Sequence, residues 1–190
     1  MPVGVLFLSH HPLLSSNFER GCWLKFKATT SRCFMVRRKS AQNRAWKSVG
    51  RIEVRKSGVH GRGVYATKAI SKGTRIIEYT GKRVLWESIP EDSEDRRTFL
   101  FGLQNGKDVI DPTIGGNEAR WINHSCEPNC EAIEENSRIF IYALRDLRPG
   151  EELFYDYALE MDEPRTKELE KESECYCGSS TCRGTMLDPN

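Results

Sequence analysis

Arg120-Trp121-Ile122-Asn123-His124-Ser125-Cys126-Glu127-Pro128-Asn129-Cys130, followed some twenty residues later by Gly150-Glu151-Glu152-Leu153-Phe154-Tyr155-Asp156-Tyr157, decides how this chain is read. Each residue in it has a bland explanation. Asn123-His124 alone suits an ordinary turn with a hydrogen-bonded histidine, and a tyrosine in a strand is ordinarily core or interface. What surrounds the two segments narrows the reading.

From Arg51 onward the chain reads as short strands punctuated by Gly and Pro. Ile52-Glu53-Val54 alternates, Gly63-Val64-Tyr65-Ala66 follows a glycine turn, and Thr74-Arg75-Ile76-Ile77-Glu78-Tyr79 is a β-branched and aromatic run ending at Gly81. Asn105-Gly106 between the apolar runs 98–103 and 107–111 predicts a hairpin. A second pair of strands is expected from 138–143 and 152–155, joined by a turn at Arg148-Pro149-Gly150. Only two segments read as helical, a short one around 117–122 and the charged stretch 163–172. The class is mostly β, a β-rich α+β chain without βαβ alternation, which excludes a Rossmann-like architecture. Gly61 and Gly63 are no dinucleotide fingerprint, because the third glycine and the following helix are missing.

A length of 190 residues allows one domain with a real core plus an appendage. The net charge of +2 hides an asymmetry: residues 1–50 carry nine Lys or Arg against the single acid Glu19, and residues 51–190 carry twenty basic against twenty-six acidic side chains. An acidic main domain steers basic partners inward, which fits a Lys/Arg-rich peptide better than nucleic acid. In residues 1–50 no sustained period accompanies the aromatics or the basic run Arg37-Arg38-Lys39, so a poorly ordered extension is expected, the one place where nucleic acid would bind.

Seven cysteines are an odd number, and Val3 to Leu8 is an apolar run without the basic flank of a signal peptide. No stretch approaches the length of a membrane span. A soluble intracellular protein is expected, whose clustered thiols bind metal in preference to pairing. Cys175, Cys177 and Cys182 form such a cluster, and tetrahedral zinc needs a fourth ligand from elsewhere. Cys22 and Cys33 read as free thiols, and His10 and His11 have no ligand cluster near them.

Taken together, the two opening segments, His60-Gly61-Arg62-Gly63-Val64-Tyr65-Ala66, Glu78-Tyr79-Thr80-Gly81 and the cysteine tail through Cys182-Arg183-Gly184 resemble, in order, the motifs of SET-domain protein lysine methyltransferases with a post-SET zinc tail. The resemblance runs from about Arg51 to Leu187, and no pre-SET cysteine array precedes it. It implies small curled sheets around a pseudoknot-like crossing of the Asn123-His124 and Tyr157 segments. The implied division is a basic extension over 1–50, a catalytic domain over 51–160, and a helical linker with zinc tail over 161–190.

The resemblance also implies the chemistry. Methyl transfer from S-adenosyl-L-methionine to a lysine amine would make Tyr157, Tyr155 and Tyr79 catalytic, with Tyr79, Phe101 and Tyr155 lining the lysine channel. His60, Gly61, Arg62, Gly63, Phe99, Asn123 and His124 would bind the cofactor. Cys126 would join Cys175, Cys177 and Cys182 on a structural zinc, Cys130 being the local alternative. Phe99 stands where relatives usually have Tyr, and Trp121 where they have Phe or Tyr. The implied partner is a basic protein, most simply a histone tail, and no membrane. The location follows the substrate: nuclear for a histone, otherwise cytoplasmic. Tyr155 implies mainly monomethyl product. The alternatives are a non-histone lysine methyltransferase and a silent SET or zinc-stabilised binding module. The insert between Gly81 and Thr98, with Glu87, Glu91, Asp92, Glu94 and Asp95, again favours a basic peptide.

Overall fold

The computed structural model describes residues 50–89, 99–160 and 164–189. The expectations for the basic extension, for Glu91, Asp92, Glu94 and Asp95, and for Glu163 therefore lie outside the described residues.

Among the described residues, ten strands form three small sheets. β1 (Ile52–Lys56) and β2 (Arg62–Ala66) are an antiparallel pair in register from Ile52 opposite Ala66 to Lys56 opposite Arg62. Ser57 closes their turn, its Oγ accepting from the N–H groups of Val59 and His60. β4 (Lys82–Leu85), β6 (Asp108–Asp111) and β5 (Phe101–Gly102) make a second sheet in that order. Its β5–β6 hairpin is the one that Asn105-Gly106 predicts. Leu103 N–H donates to Asp108 O, Gly106 takes φ +66°, and Asn105 Oδ1 accepts from the N–H groups of Lys107 and Asp108.

The largest sheet has the order β3-β9-β8-β10-β7. It comprises β3 (Arg75–Tyr79), β7 (Asn123–His124), β8 (Cys130–Glu135), β9 (Arg138–Ala143) and β10 (Phe154–Tyr155). The expected pairing of 138–143 with 152–155 does not occur. β8 occupies the edge of β9 that such a pairing would use. Residues 150–153 instead run along β2, Leu153 N–H donating to Val64 O and Gly150 N–H to Ala66 O. β8 and β9 join through Asn136 and Ser137, both at left-handed φ (52° and 58°), the backbone of a two-residue hairpin turn.

β9 reads as an unbroken apolar run because both of its faces are covered. Ile139, Ile141 and Ala143 enter the main core, while Phe140 and Tyr142 join Ile133 in a separate cluster roofed by the Arg75 guanidinium, 4.0 Å from the Phe140 ring centre. Ile141 is fully buried. Ile141→Ala is expected to lower unfolding free energy by about 2–5 kcal/mol, read from the urea midpoint at unchanged slope.

Helix is scarce. Residues 118–121 form a 3-10 turn capped by the Asn117 side chain, which accepts from Ala119 N–H, and the charged stretch is helical only over α1 (Lys167–Glu172). α1 begins at Thr166, whose hydroxyl accepts from Leu169 N–H, and it buries Leu169. Leu169, Cys175, Met186 and Leu187 belong to the same core as the sheets. No described helix is long and apolar enough to cross a membrane.

Candidate active site and cysteine centre

The site forms where β10 enters between β7 and β8, parallel to both, with Tyr155 opposite His124 on one side and Cys130 on the other. Two-residue strands make few ladder bonds, so side chains complete the seam. Buried Asn129 donates from Nδ2 to Glu152 O at 2.7 Å and accepts at Oδ1 from Phe154 N–H at 2.8 Å, standing in for a strand neighbour. Asn129 lies within the segment 120–130, where its neighbours in sequence announce no task for it. Its residue type in a short polar segment was the only available signal.

His124 locks the seam to the residue after it. Its Nδ1 accepts from Tyr157 N–H at 3.0 Å, so the ring proton sits on Nε2, 3.4 Å from Cys126 Sγ. Burial brings its pKa down to about 4, outweighing the opposing pull of Asp156, and the imidazole is neutral at physiological pH.

From His124 a train of rings crosses the site. Centroid separations are 5.3 Å from His124 to Tyr157, 4.9 Å to Tyr155, 6.3 Å to Phe101 and 5.0 Å to Tyr79. Burial holds the hydroxyls of Tyr79 and Tyr155 well above the usual tyrosine range, so both keep their protons. Tyr79 donates to Phe99 O at 2.5 Å and Tyr157 to Ile122 O at 2.9 Å. Among the described residues no hydrogen bond engages the Tyr155 hydroxyl.

At the His124 end lies the glycine turn. Asn123 Nδ2 donates toward His60 O and Arg62 O, tying β7 to that turn. Gly61 has φ +43°, a backbone conformation that favours glycine, and open space where a Cβ would be. Gly63 serves a different need: a Cβ there would lie 2.0 Å from Glu152 Oε1. The two unusual residues, Phe99 and Trp121, touch each other edge to face at 5.1 Å, and the Arg62 guanidinium lies 4.8 Å from the Trp121 ring centre. Asn123 thus joins the 60–62 turn at the His124 end of the ring train, while Phe99 reaches both the Trp121 ring and, through its carbonyl, the Tyr79 hydroxyl at the other end.

The thiols of Cys126, Cys175, Cys177 and Cys182 lie within 4.8 Å of one another. Tetrahedral zinc with Zn–S of about 2.3 Å sets its sulphurs about 3.8 Å apart. Cys126 and Cys175 Sγ are 3.7 Å apart, and N–H groups of Arg183, Cys177 and Gly184 point at sulphurs of the cluster. Burial opposes ionisation of Cys177, yet hydrogen bonds from Cys126 and Ser179 bring it down to about 6. The donor set therefore fits zinc. Cys130 is not in the cluster: it is buried in β8, where burial pushes its thiol up to about 12. The tail that supplies three of these cysteines is also clamped to the site by Arg183, whose two terminal nitrogens meet both Asp156 oxygens at 2.7 and 2.8 Å.

The family profile described as SET domain matches residues 61–158. Similar proteins include an H3 lysine-4 specific histone-lysine N-methyltransferase of Neurospora crassa, 39% identical over an alignment of 146 positions that covers 71% of this chain and 11% of that protein. Another is the histone-lysine N-methyltransferase trr of Drosophila melanogaster, 36% identical over 162 residues, 80% of this chain and 6% of that protein. A third, from Saccharomyces cerevisiae, is named as H3 lysine-4 specific and is 39% identical over 142 residues, 69% of this chain and 13% of its own length. The chain thus spans a small fraction of the length of these relatives.

Proposed function

This chain belongs to the SET-domain family, and from that membership we propose that it transfers a methyl group from S-adenosyl-L-methionine to the side-chain amine of a lysine in a basic protein. The observation that carries the proposal is the gathering of Asn123, His124 and the 60–62 turn at one end of a ring train that runs through Tyr157, Tyr155 and Phe101 to Tyr79.

Bound S-adenosylmethionine would supply an electrophilic methyl on a sulfonium. The turn over His60, Gly61, Arg62 and Gly63, with Asn123, His124 and Phe99, would hold it, and zinc on Cys126, Cys175, Cys177 and Cys182 would fix the tail across the site. A lysine ammonium has an unperturbed pKa of about 10.4, so the site must favour the neutral amine. Aromatic walls from Tyr79, Phe101 and Tyr155 disfavour the charged form by removing water. Tyr155 and Tyr157, 4.9 Å apart between ring centres, offer hydroxyl oxygens to align the amine, a contribution that is both entropic and electrostatic.

The acidic balance of residues 51–190 favours a basic peptide. The names of the relatives make histone H3, and lysine 4 within it, the first substrate to test. A histone substrate would place the protein in chromatin. Tritium transfer from labelled cofactor to core histones is expected. Label that appears only on non-histone basic proteins would move the substrate class, and none on any basic protein would leave a binding module.

Mainly monomethyl product is expected. The Tyr155 hydroxyl sits at the buried centre of the train and no described group engages it, so it can hold the amine or a water beside it. A methylated amine must displace that water before its lone pair can face the donor. Tyr155→Phe is expected to shift the product toward di- and trimethyllysine without slowing the first step. Mass spectrometry of a reaction run to completion decides it, and abundant trimethyllysine from the unaltered protein rejects the role.

A further inference from the structure

Three oxygens converge on one side-chain amide. Asn123 Nδ2 lies 2.8 Å from Arg62 O, 3.2 Å from His60 O and 3.1 Å from Glu152 Oε1. Two are carbonyls and the third a carboxylate oxygen, so all three are acceptors, and the amide must turn its nitrogen toward them. Its two hydrogens are then fully used. Oδ1, on the other limb of the same planar group, points away from these acceptors, and no hydrogen bond among the described residues engages it.

Glu152 is itself held for this contact. Its Oε2 accepts from the Tyr65 hydroxyl at 2.7 Å, and its backbone pairs with that of Tyr65 across the gap between β2 and the approach to β10. Its Oε1 occupies the space that a side chain at position 63 would fill: a Cβ there would come within 2.0 Å of Oε1 and 2.7 Å of Cδ. The glycine at 63 is therefore a requirement of Glu152's seat.

We propose that Glu152 is a positioning residue, fixing the Asn123 amide so that Oδ1 is the acceptor offered to the cationic α-amino group of the methyl donor. The inference rests on the reading that Asn123 and the 60–62 turn receive the amino-acid end of that donor. A flipped amide would present N–H groups to an ammonium, which is repulsive, and would set Oδ1 against three oxygens. Glu152 raises the cost of that flip by adding a carboxylate to the two carbonyls.

The test is calorimetric binding of S-adenosylhomocysteine, and of its analogue lacking the α-amino group, to the zinc-loaded full chain. Glu152→Asp keeps the charge but is one methylene too short to reach Asn123, and it is expected to weaken S-adenosylhomocysteine about tenfold, the loss of one acceptor that holds the amide. The deamino analogue should change less than about twofold, because it never uses Oδ1. Glu152→Gln retains an acceptor for Asn123 and should stay within about threefold of the unaltered protein for both ligands. Gly63→Ala, which evicts the Glu152 carboxylate, should reproduce the selective loss and provides the test should the Asp variant not fold. Equal weakening of both ligands, or of neither, overturns the proposal, as does a Gln variant that loses while Asp retains, since charge and not position would then be at work. If the unaltered protein binds neither ligand, the donor-site reading itself falls, a result distinct from any of these.

Discussion

Tyr157→Phe is expected to lower kcat by about 10²–10³-fold, the range for removing one preorganised group that acts on charge developing in the transition state. Cofactor affinity should stay within about tenfold, because a group used mainly in the transition state contributes little to ground-state binding. The geometry leads to that split. The ring is clamped from two directions, by Tyr157 N–H donating to His124 Nδ1 and by the hydroxyl donating to Ile122 O. Phe retains the first clamp and the contacts with Tyr155 and His124, so the ring stays and only the oxygen goes. Losing the bond to Ile122 O costs about 1 kcal/mol of stability, visible as a small fall in melting temperature. Single-turnover rates with saturating cofactor, alongside calorimetry with S-adenosylhomocysteine, measure the two effects separately. Turnover within about threefold of the unaltered enzyme would remove Tyr157 from the chemistry.

The second large effect is expected from the cysteine centre. The purified protein should carry one equivalent of zinc, and Cys126→Ser should lose it, whereas Cys130→Ser should keep it because that thiol lies outside the cluster. Structural zinc in small peptides contributes about 10–16 kcal/mol of apparent binding energy, all of it folding energy. Stripping the metal should therefore release the segment around α1 and the cysteines to proteolysis, withdraw Leu169, Met186 and Leu187 from the shared core, and free Asp156 from Arg183. Because Cys126 Sγ is 3.4 Å from His124 Nε2, cofactor binding should weaken with the tail. Elemental analysis and limited proteolysis decide it. A zinc-free protein, or a Cys126→Ser variant with full zinc and full activity, would reject the centre.

Much of the candidate site could be named from the chain because its motifs use residue types with few other uses in that order. Cysteines at 175, 177 and 182 call for a fourth, and Cys126 proves to be beside them. Asn105-Gly106 predicts its hairpin, since left-handed backbone narrows the choice of residue. The sheet order was not legible. A two-residue strand such as β7 or β10 has no period to detect, and its partners are chosen by packing far along the chain. β8 was missed although its hairpin turn at Asn136-Ser137 carries a usable signal. β4 was missed because Lys82-Arg83-Val84-Leu85 is largely exposed and lacks an apolar face. Glu152 and Asn129 acquire their tasks only when segments distant in sequence meet, and nothing in their immediate neighbours announces it.

The place of β10 also dictates an order of assembly. Both of its neighbours, β7 and β8, precede it in the chain, and it lies parallel to each, so neither contact can form through a short hairpin. While a nascent chain has emerged only as far as Gly150, β3, β9 and β8 can already pair, but β8 keeps an unsatisfied edge, and β7, tied to the 60–62 turn through Asn123, has no strand partner among the described residues of its sheet. The closing step is the insertion of a single short segment into a slot between two preformed walls, with loop-closure entropy lost before any contact is gained. Folding is therefore expected to be slow for a chain of this size and to pass through a species with exposed strand edges. That species is where a chaperone would act, and where substitutions at Asn129, which pins the incoming segment, would lower the yield of folded protein before they touched its activity.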